Sequence, residues 1–484
     1  MKLLNLSMWV LGGTLAVSGM SNAQVPASND TSDGNANTGM GTGALGGPTA
    51  SNSGQQNTAA GFDALFNNTS IGNSAFGWQA LSSNSIGLYN TAVGAKSLQS
   101  NTTGGGNTAV GNNALNGSTT GHDNSATGLS ALASNTTGMD NVADGAGALF
   151  GNTTGQFNTA TGEEALAGGN APDMTGYANT ADGIQSLFSN TTGYQNTASG
   201  SYALWSSTVG NHNTASGSYA LYSNSEGNSN TAVGDNALYA NTTGFHNTAS
   251  GANALVSNTT GTTNVAFGLE ALNSNTTGSN NIAVGTGAGY NLTYGSNNID
   301  IGNEGVASES GRIRIGTAGT QSATYIAGIE GAKITGAAVY ITSSGQLGVL
   351  ASSERYKTEI APMGANTQRL KELRPVTFHL KTDPSGAVQY GLIAEEVNKI
   401  YPELVIRDEA GKIQGVRYDE LAPMLLNEMQ KERFTVATLV AHHKADAAKL
   451  ASQTARITSL ERQLASIQAA IVKLQPRDEL VAQR

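Results

Sequence analysis

From Asn57 to Gly302 the chain sets its large apolar side chains at one fixed point of a recurring frame. An Asn opens the frame at 57, 73, 90, 107, 124, 141, 158, 179, 196, 213, 230, 247, 264, 281 and 298. The step is 17 residues twelve times, 16 once at the start, and 21 once between Asn158 and Asn179. Gly168 to Thr175 hold the extra residues of the long unit, which predicts a loop there. Inside the frame the order is Asn-Thr-Ala-x-Gly, then Ala-Leu, then usually Asn-Thr-Thr-Gly. Leu falls eight residues after the Asn in thirteen units, from Leu65, Leu81 and Leu98 to Leu272. One Leu per frame cannot close a core alone, but stacked frames make the core continuous.

Gly stands four residues after the Asn in all fifteen units, from Gly61 to Gly302, which predicts a corner with positive φ or a close backbone approach. A second Gly (Gly104, Gly138, Gly155 and others) predicts another turn. Two turns per frame predict a coil of two short strands, paired from coil to coil. At about 4.8 Å per coil the units give a rod on the order of 70 Å. Equivalent Asn side chains then lie above one another as hydrogen-bonded ladders. The units resemble the head repeats of trimeric surface adhesins. That resemblance implies a left-handed parallel β-roll joined in threes, so the fold is expected to be mainly β, a parallel β-roll or solenoid over 51–310.

Beyond the frame the periodicity shortens. Ile313-Arg314-Ile315-Gly316 and Tyr325-Ile326-Ala327-Gly328-Ile329 read as short strands. Val339-Tyr340-Ile341 and Leu347-Gly348-Val349-Leu350 flank Ser343-Ser344-Gly345-Gln346, a hairpin pattern. Residues 311–351 are therefore expected to form a β-rich neck. Near the end, Leu450, Ile457, Leu460, Leu464, Ile467, Ile471 and Leu474 alternate steps of three and four after Ile457, with Gln453 at one seam position. This predicts a coiled-coil helix over 434–484, compatible with three strands and closed by Pro476. A plain solvent-facing amphipathic helix is the alternative.

Composition sharpens the picture. Only 12% of residues are charged and 6% aromatic, and Gly numbers 62, which suits a thin repeated architecture better than a thick globular core. Residues 1–310 hold two bases, Lys2 and Lys96, against sixteen acids; the remainder holds 22 bases against 18 acids. So acidic a rod excludes nucleic acid as a partner, since that needs clustered bases. The charge break near 310 also marks a domain boundary. Lys2, the largely apolar Leu3–Met20 and the small residues of Ser21-Asn22-Ala23 read as a signal peptide over 1–23, cleaved after Ala23. An uncleaved anchor is the alternative, but Asn5, Ser7 and three glycines weaken the span. Residues 24–50, rich in Gly, Ser, Asn and Thr, read as a flexible lead-in. A secreted or cell-surface location follows. Without any cysteine, an exported chain needs repetition or oligomerisation to hold it.

Chemistry in the rod is sparse. His122, His212 and His246 occupy variable turn positions and do not recur as a set, so no metal is expected there. No carboxylate pair is nominated for glycoside hydrolysis. The Asn-Thr-Thr repeats match an N-glycosylation acceptor, yet turns and ladders account for them better. A Thr array that binds carbohydrate or ice is a further alternative.

The C-terminal part has ordinary globular composition. Ser352-Ser353-Glu354-Arg355-Tyr356-Lys357-Thr358-Glu359-Ile360 opens it, followed by Leu373-Arg374-Pro375-Val376-Thr377-Phe378. Next come Tyr390-Gly391-Leu392-Ile393-Ala394-Glu395-Glu396-Val397, then Tyr401-Pro402-Glu403-Leu404-Val405, then Val416-Arg417-Tyr418-Asp419-Glu420-Leu421. In that order these motifs resemble the intramolecular chaperone of phage endosialidases and other tail fibres, over 352–433. The resemblance implies a small α+β domain that forms a homotrimer, helps the fibre ahead of it to assemble, and then cuts itself off. It places the cut between Ala351 and Ser352, with Ser352 as nucleophile and Lys357 assisting, where the family often has Asp or Asn in place of Ser353. Lysine acts as a base only when neutral, which burial or a nearby cation such as Arg355 favours. No cofactor or metal motif accompanies these residues. The functions to weigh are thus a self-releasing trimeric fibre, a glycan- or surface-binding solenoid whose chaperone no longer cleaves, and, least favoured, a polysaccharide-cleaving enzyme. No run of alternating strands follows the seam, so a self-anchoring outer-membrane barrel is not expected.

Overall fold

The computed structural model describes residues 35–49, 54–169, 173–327, 338–342, 345–408 and 410–474. The expected signal peptide, the start of the lead-in and Pro476 lie outside the described residues. The chain divides into two compact units, Met1–Tyr325 and Ile326–Arg484.

The first unit is a solenoid. Seventeen strands of three residues form one parallel sheet, from β1 (Thr38–Met40) and β2 (Thr58–Ala60) to β16 (Ile299–Ile301) and β17 (Ile313–Ile315). Each pairs with its successor in strict register, as Thr108, Ala109 and Val110 do with Ser125, Ala126 and Thr127. The middle residue, nearly always Ala, points inward and is buried, while its neighbours face outward. The first coil opens at Asn37, inside the stretch expected as a lead-in, and the strand at Ile313–Ile315 extends the same sheet into the expected neck. β8 (Thr159–Thr161) and β9 (Thr180–Asp182) pair without slippage across the four-residue insertion, whose Met174 turns into the core.

The expectation of two strands per coil is corrected. The Leu side of each coil is a chain of turns, and the repeat leucines from Leu45 to Leu272 sit at φ of 50–55°. The residue two places earlier, such as Ser130 or Asn236, shares this left-handed conformation, and so does the residue before most opening Asn residues. Such a conformation costs roughly 1–2 kcal/mol at a non-Gly residue. The offset is visible in the backbone bonds. Ser130 N–H donates to Asn112 O of the preceding coil at 2.9 Å, and Leu132 N–H to Ala148 O of the following one at 2.9 Å. Turning the peptides up and down the axis lets neighbouring coils satisfy them without a strand, while each Leu becomes fully buried.

Both glycine expectations hold, with different causes. Gly145 has φ of 147°, and a Cβ there would lie 2.3 Å from Gly162 O. At the second glycine the need is space alone: a Cβ on Gly138 would lie 2.4 Å from Gly155 O. The Asn ladder is present and has a second rail. Asn124 donates its backbone N–H (3.0 Å) and its Nδ2 (3.1 Å) to Asn107 Oδ1, and Nδ2 also reaches Gly138 O at 2.9 Å. Eleven residues after the opening Asn, a second ladder runs through Asn84 and Asn101, with 2.7 Å between Asn101 Nδ2 and Asn84 Oδ1. Where Ser118 and Ser207 replace Asn, the rail breaks, and Asn101 Oδ1 and Asn190 Oδ1 are left buried without partners.

The second unit has its own small core. β18 (Tyr340–Ile341) and β19 (Leu347–Gly348) make the expected hairpin, whereas Tyr325 to Ala327 form no strand and Gly328-Ile329 lie outside the described residues. β20 (Val376–Phe378) pairs antiparallel with β21 (Gln389–Gly391), and β22 (Val405–Arg407) with β23 (Ile413–Val416). Between them lies α1 (Ala394–Ile400), and α2 (Tyr418–Leu474) follows as one unbroken helix. Val397, Tyr401, Leu404, Val405 and Val416 form the buried core, with Leu373, Leu392, Leu421 and Met424 against it. The helix thus starts inside the expected chaperone boundary and packs its first turns on that domain. No helix among the described residues is long and apolar enough to cross a membrane.

Candidate functional site

Ala351, Ser352 and Ser353 lie just after β19, in a stretch without regular structure that ends in a 3-10 turn over Glu354–Tyr356. Tyr356 N–H donates to Ser353 O at 3.0 Å and Lys357 N–H to Glu354 O at 2.9 Å, so one turn carries the serine pair and the lysine. Every residue from Ala351 to Lys357 is exposed. Sequence proximity thus brings Ser352 and Lys357 onto one short segment, but no hydrogen bond joins their side chains. Arg355 lies over its neighbour Tyr356, 4.8 Å from the ring centre. The expected scissile bond, Ala351–Ser352, is accessible, and Lys357 is exposed, without the burial that favours a neutral lysine.

The other motifs build the platform. A 3-10 helix over Gly364–Glu372 ends at Leu373, and Pro375 directly precedes β20. Arg374 spans to α1 and donates to both oxygens of Glu396, from Nη2 to Oε1 at 2.6 Å and from Nε to Oε2 at 3.1 Å, which holds that carboxyl below its usual range. Gly391 is required by Tyr418: a Cβ there would lie 2.6 Å from the phenol oxygen, which accepts Leu392 N–H at 2.7 Å. Tyr401 is buried and donates its hydroxyl to Asn366 O at 3.0 Å. Sequence reasoning missed the knot that fastens α2. Thr367, fully buried, donates to Glu428 and accepts from Asn427 and Lys431, and Lys431 bonds Glu428 at 2.6 Å. The spacing of Glu428, Lys431 and Asn427 on one helix was the available signal; the partner 60 residues away was not.

The family model described as the chaperone of endosialidase matches residues 352–406. Four of the five motifs fall in that span; the fifth, from Val416, lies beyond it but closes the same core through Val416 and Tyr418. The chaperone-type domain together with the β-solenoid fits a tail-fibre-like protein. No curated protein and no solved structure matches the chain.

The rod offers little machinery. The Asn of its Asn-Thr-Thr sites, such as Asn101, Asn135, Asn241 and Asn258, is fully buried in the second ladder and cannot serve as a glycan acceptor. Phe188, Trp205, Tyr222 and Tyr239 stack in sequence with centroids 5.7, 5.3 and 5.1 Å apart and planes within 8°. The faces within this stack cover one another. His212 and His246 occupy left-handed turn positions before an opening Asn, and His122 bonds Asp123 at 2.8 Å. A hollow of about 200 Å³ lies between Thr154, Gln156, Phe157, Thr175 and Tyr177, smaller than typical ligand clefts. One titratable group departs from the repeat. Asp300 takes the buried Ala position of β16, both its oxygens lack a hydrogen-bond partner, and desolvation pushes its carboxyl up to about 6, with Glu309 adding to the shift and Arg314 opposing it.

Proposed function

We propose that this chain is an exported, fibre-forming or adhesin-like protein that assembles as a homotrimer, and that its C-terminal chaperone domain then releases itself by cleavage between Ala351 and Ser352. The observation that carries the reading is the family match at 352–406, downstream of a solenoid in the same chain. Two further features support it. The α2 seam is apolar and unpartnered, with Ile457, Leu460 and Leu464 55–59% exposed, which is the state of a coiled coil awaiting its partners. The Ser352–Lys357 segment is also exposed in one chain, and a neighbouring chain packed over it would supply the missing enclosure. Ser352 Oγ then attacks the Ala351 carbonyl carbon, Lys357 takes the hydroxyl proton, and that proton goes to the leaving Ser352 backbone nitrogen. The resulting ester hydrolyses to free the domain. Export, to the medium or the cell surface, rests on the N-terminal signal pattern.

The test is purified full chain followed by mass and N-terminal sequencing. A fragment beginning at Ser352 should accumulate, and Ser352→Ala or Lys357→Ala should prevent it. Cleavage that persists in both variants removes the assignment. The second reading, a glycan- or surface-binding solenoid with a folded but silent chaperone, is favoured by one observation: Ser352 and Lys357 are not hydrogen-bonded to each other. It predicts an uncut trimer that retains a glycan on an array; an uncut trimer with a blank array removes it.

A further inference from the structure

α2 runs unbroken from Tyr418 to Leu474, so the heptad phase of its end carries back through the whole helix. In that phase the upstream seam reads Met429, Val436, Leu439, His443, Asp446 and Leu450. Met429, Val436 and Leu439 are 54–61% exposed, while the chaperone core takes another face of the helix through Met424, Glu428 and Lys431. Two consecutive seam positions therefore carry an imidazole and a carboxylate, between aliphatic Leu439 and Leu450. Glu432 and Gln453 also interrupt the seam, but each stands alone between apolar layers.

We propose that the trimer closes a site for one divalent transition-metal ion on its axis, built from His443 and Asp446 of all three chains. The site is incomplete in one chain, and it rests on the trimeric reading above. Positions three apart on a helix are about 4.5 Å apart along the axis, so an ion between the two layers is in reach of both. Three imidazole nitrogens and three carboxylate oxygens make a six-donor set. Mixed nitrogen and oxygen ligands suit nickel, cobalt or zinc rather than calcium or magnesium, which prefer oxygen alone. The charge balance points the same way. Three carboxylates gathered into one desolvated layer repel unless a cation joins them. Within one chain Asp446 has only Lys449, at 4.0 Å with both side chains more than 70% exposed, a contact too solvated to meet that need. Flanking leucine layers exclude water and strengthen the ion's hold.

The test uses tag-free full chain, stripped with a chelator and dialysed against zinc chloride or nickel chloride alone. Bound metal is measured by elemental mass spectrometry and the assembly by sedimentation equilibrium. The wild type is expected to hold one ion per three chains. The double variant His443→Leu, Asp446→Leu completes an apolar seam, so it should remain trimeric and lose the ion, a drop of at least about tenfold. A wild-type trimer that holds no more metal than this variant overturns the site and leaves the trimer standing. A chain that sediments as a monomer overturns both.

Discussion

The solenoid and the C-terminal unit meet the same problem, short elements that cannot bury themselves, in opposite ways. In the rod the partner of every coil is the next coil of the same chain: Leu132 is covered by its neighbours, Asn124 is bonded to Asn107, and a Gly138 Cβ would strike the coil above. The C-terminal unit has a core of five buried side chains and then extends a 57-residue helix with no buried residue. Its apolar seam and its Ser352–Lys357 segment both face solvent. Repetition lets one chain complete itself; the seam of α2 is left open in one chain, and in the proposed trimer other chains complete it.

The largest effects should come from separating the two regions. Ile457→Asp with Leu464→Asp places charge in the seam and should abolish both the trimer, read by sedimentation, and cleavage, read by mass. If cleavage survives in a monomer, the neighbouring chains do not complete the site. Gly145→Ala should do the converse. Its Cβ would need the space of Gly162 O, at a cost of several kcal/mol to the rod's unfolding transition, with the Ser352 cut unaffected. Gly302→Ala, where a Cβ meets open space, should cost about 1 kcal/mol. Leu149→Ala should lower rod stability by about 2–5 kcal/mol, since that side chain is fully buried.

Asp300 sharpens the comparison through pH. Its folded carboxyl titrates at about 6, above the ordinary value of 3.8, so the folded rod binds the extra proton between these values. The contribution of Asp300 to rod stability should therefore be fully present below about pH 4, fall as pH rises through 6, and be absent above it, by about 3 kcal/mol in total. Asp300→Ala restores the Ala row and should flatten that profile in thermal melts, leaving Arg314 paired with Glu309 at 2.6 Å. The smallest effect is a repair. Ser118→Asn should give Asn101 Oδ1 its missing donor and stabilise the rod by about 1 kcal/mol in denaturant titration.

The legible part of this fold is the part that repeats. Asn and Gly recur in fifteen units and Leu in thirteen, and their ladder, corner and core roles were legible because each position faces the same neighbours in nearly every coil. The turn-built Leu side was hidden, since leucine has no local preference for the left-handed region; only scattered Asp, Asn and Gly residues at the position two places earlier, such as Asp63, Asn113, Gly147, Asn236 and Asn253, hinted at it. The coil at Asn37 escaped because its step to Asn57 is 20 residues. In the C-terminal unit the motif order pointed to the domain, but the contact between Thr367 and Glu428 joins single residues far apart, with no recurrence to expose it.

The most direct test is native mass spectrometry of the tag-free full chain, followed by denaturation of the same sample. Three chains in one particle, resolving on denaturation into a fragment ending at Ala351 and one beginning at Ser352, is the predicted result. A single-chain particle with the Ala351–Ser352 bond intact would contradict it.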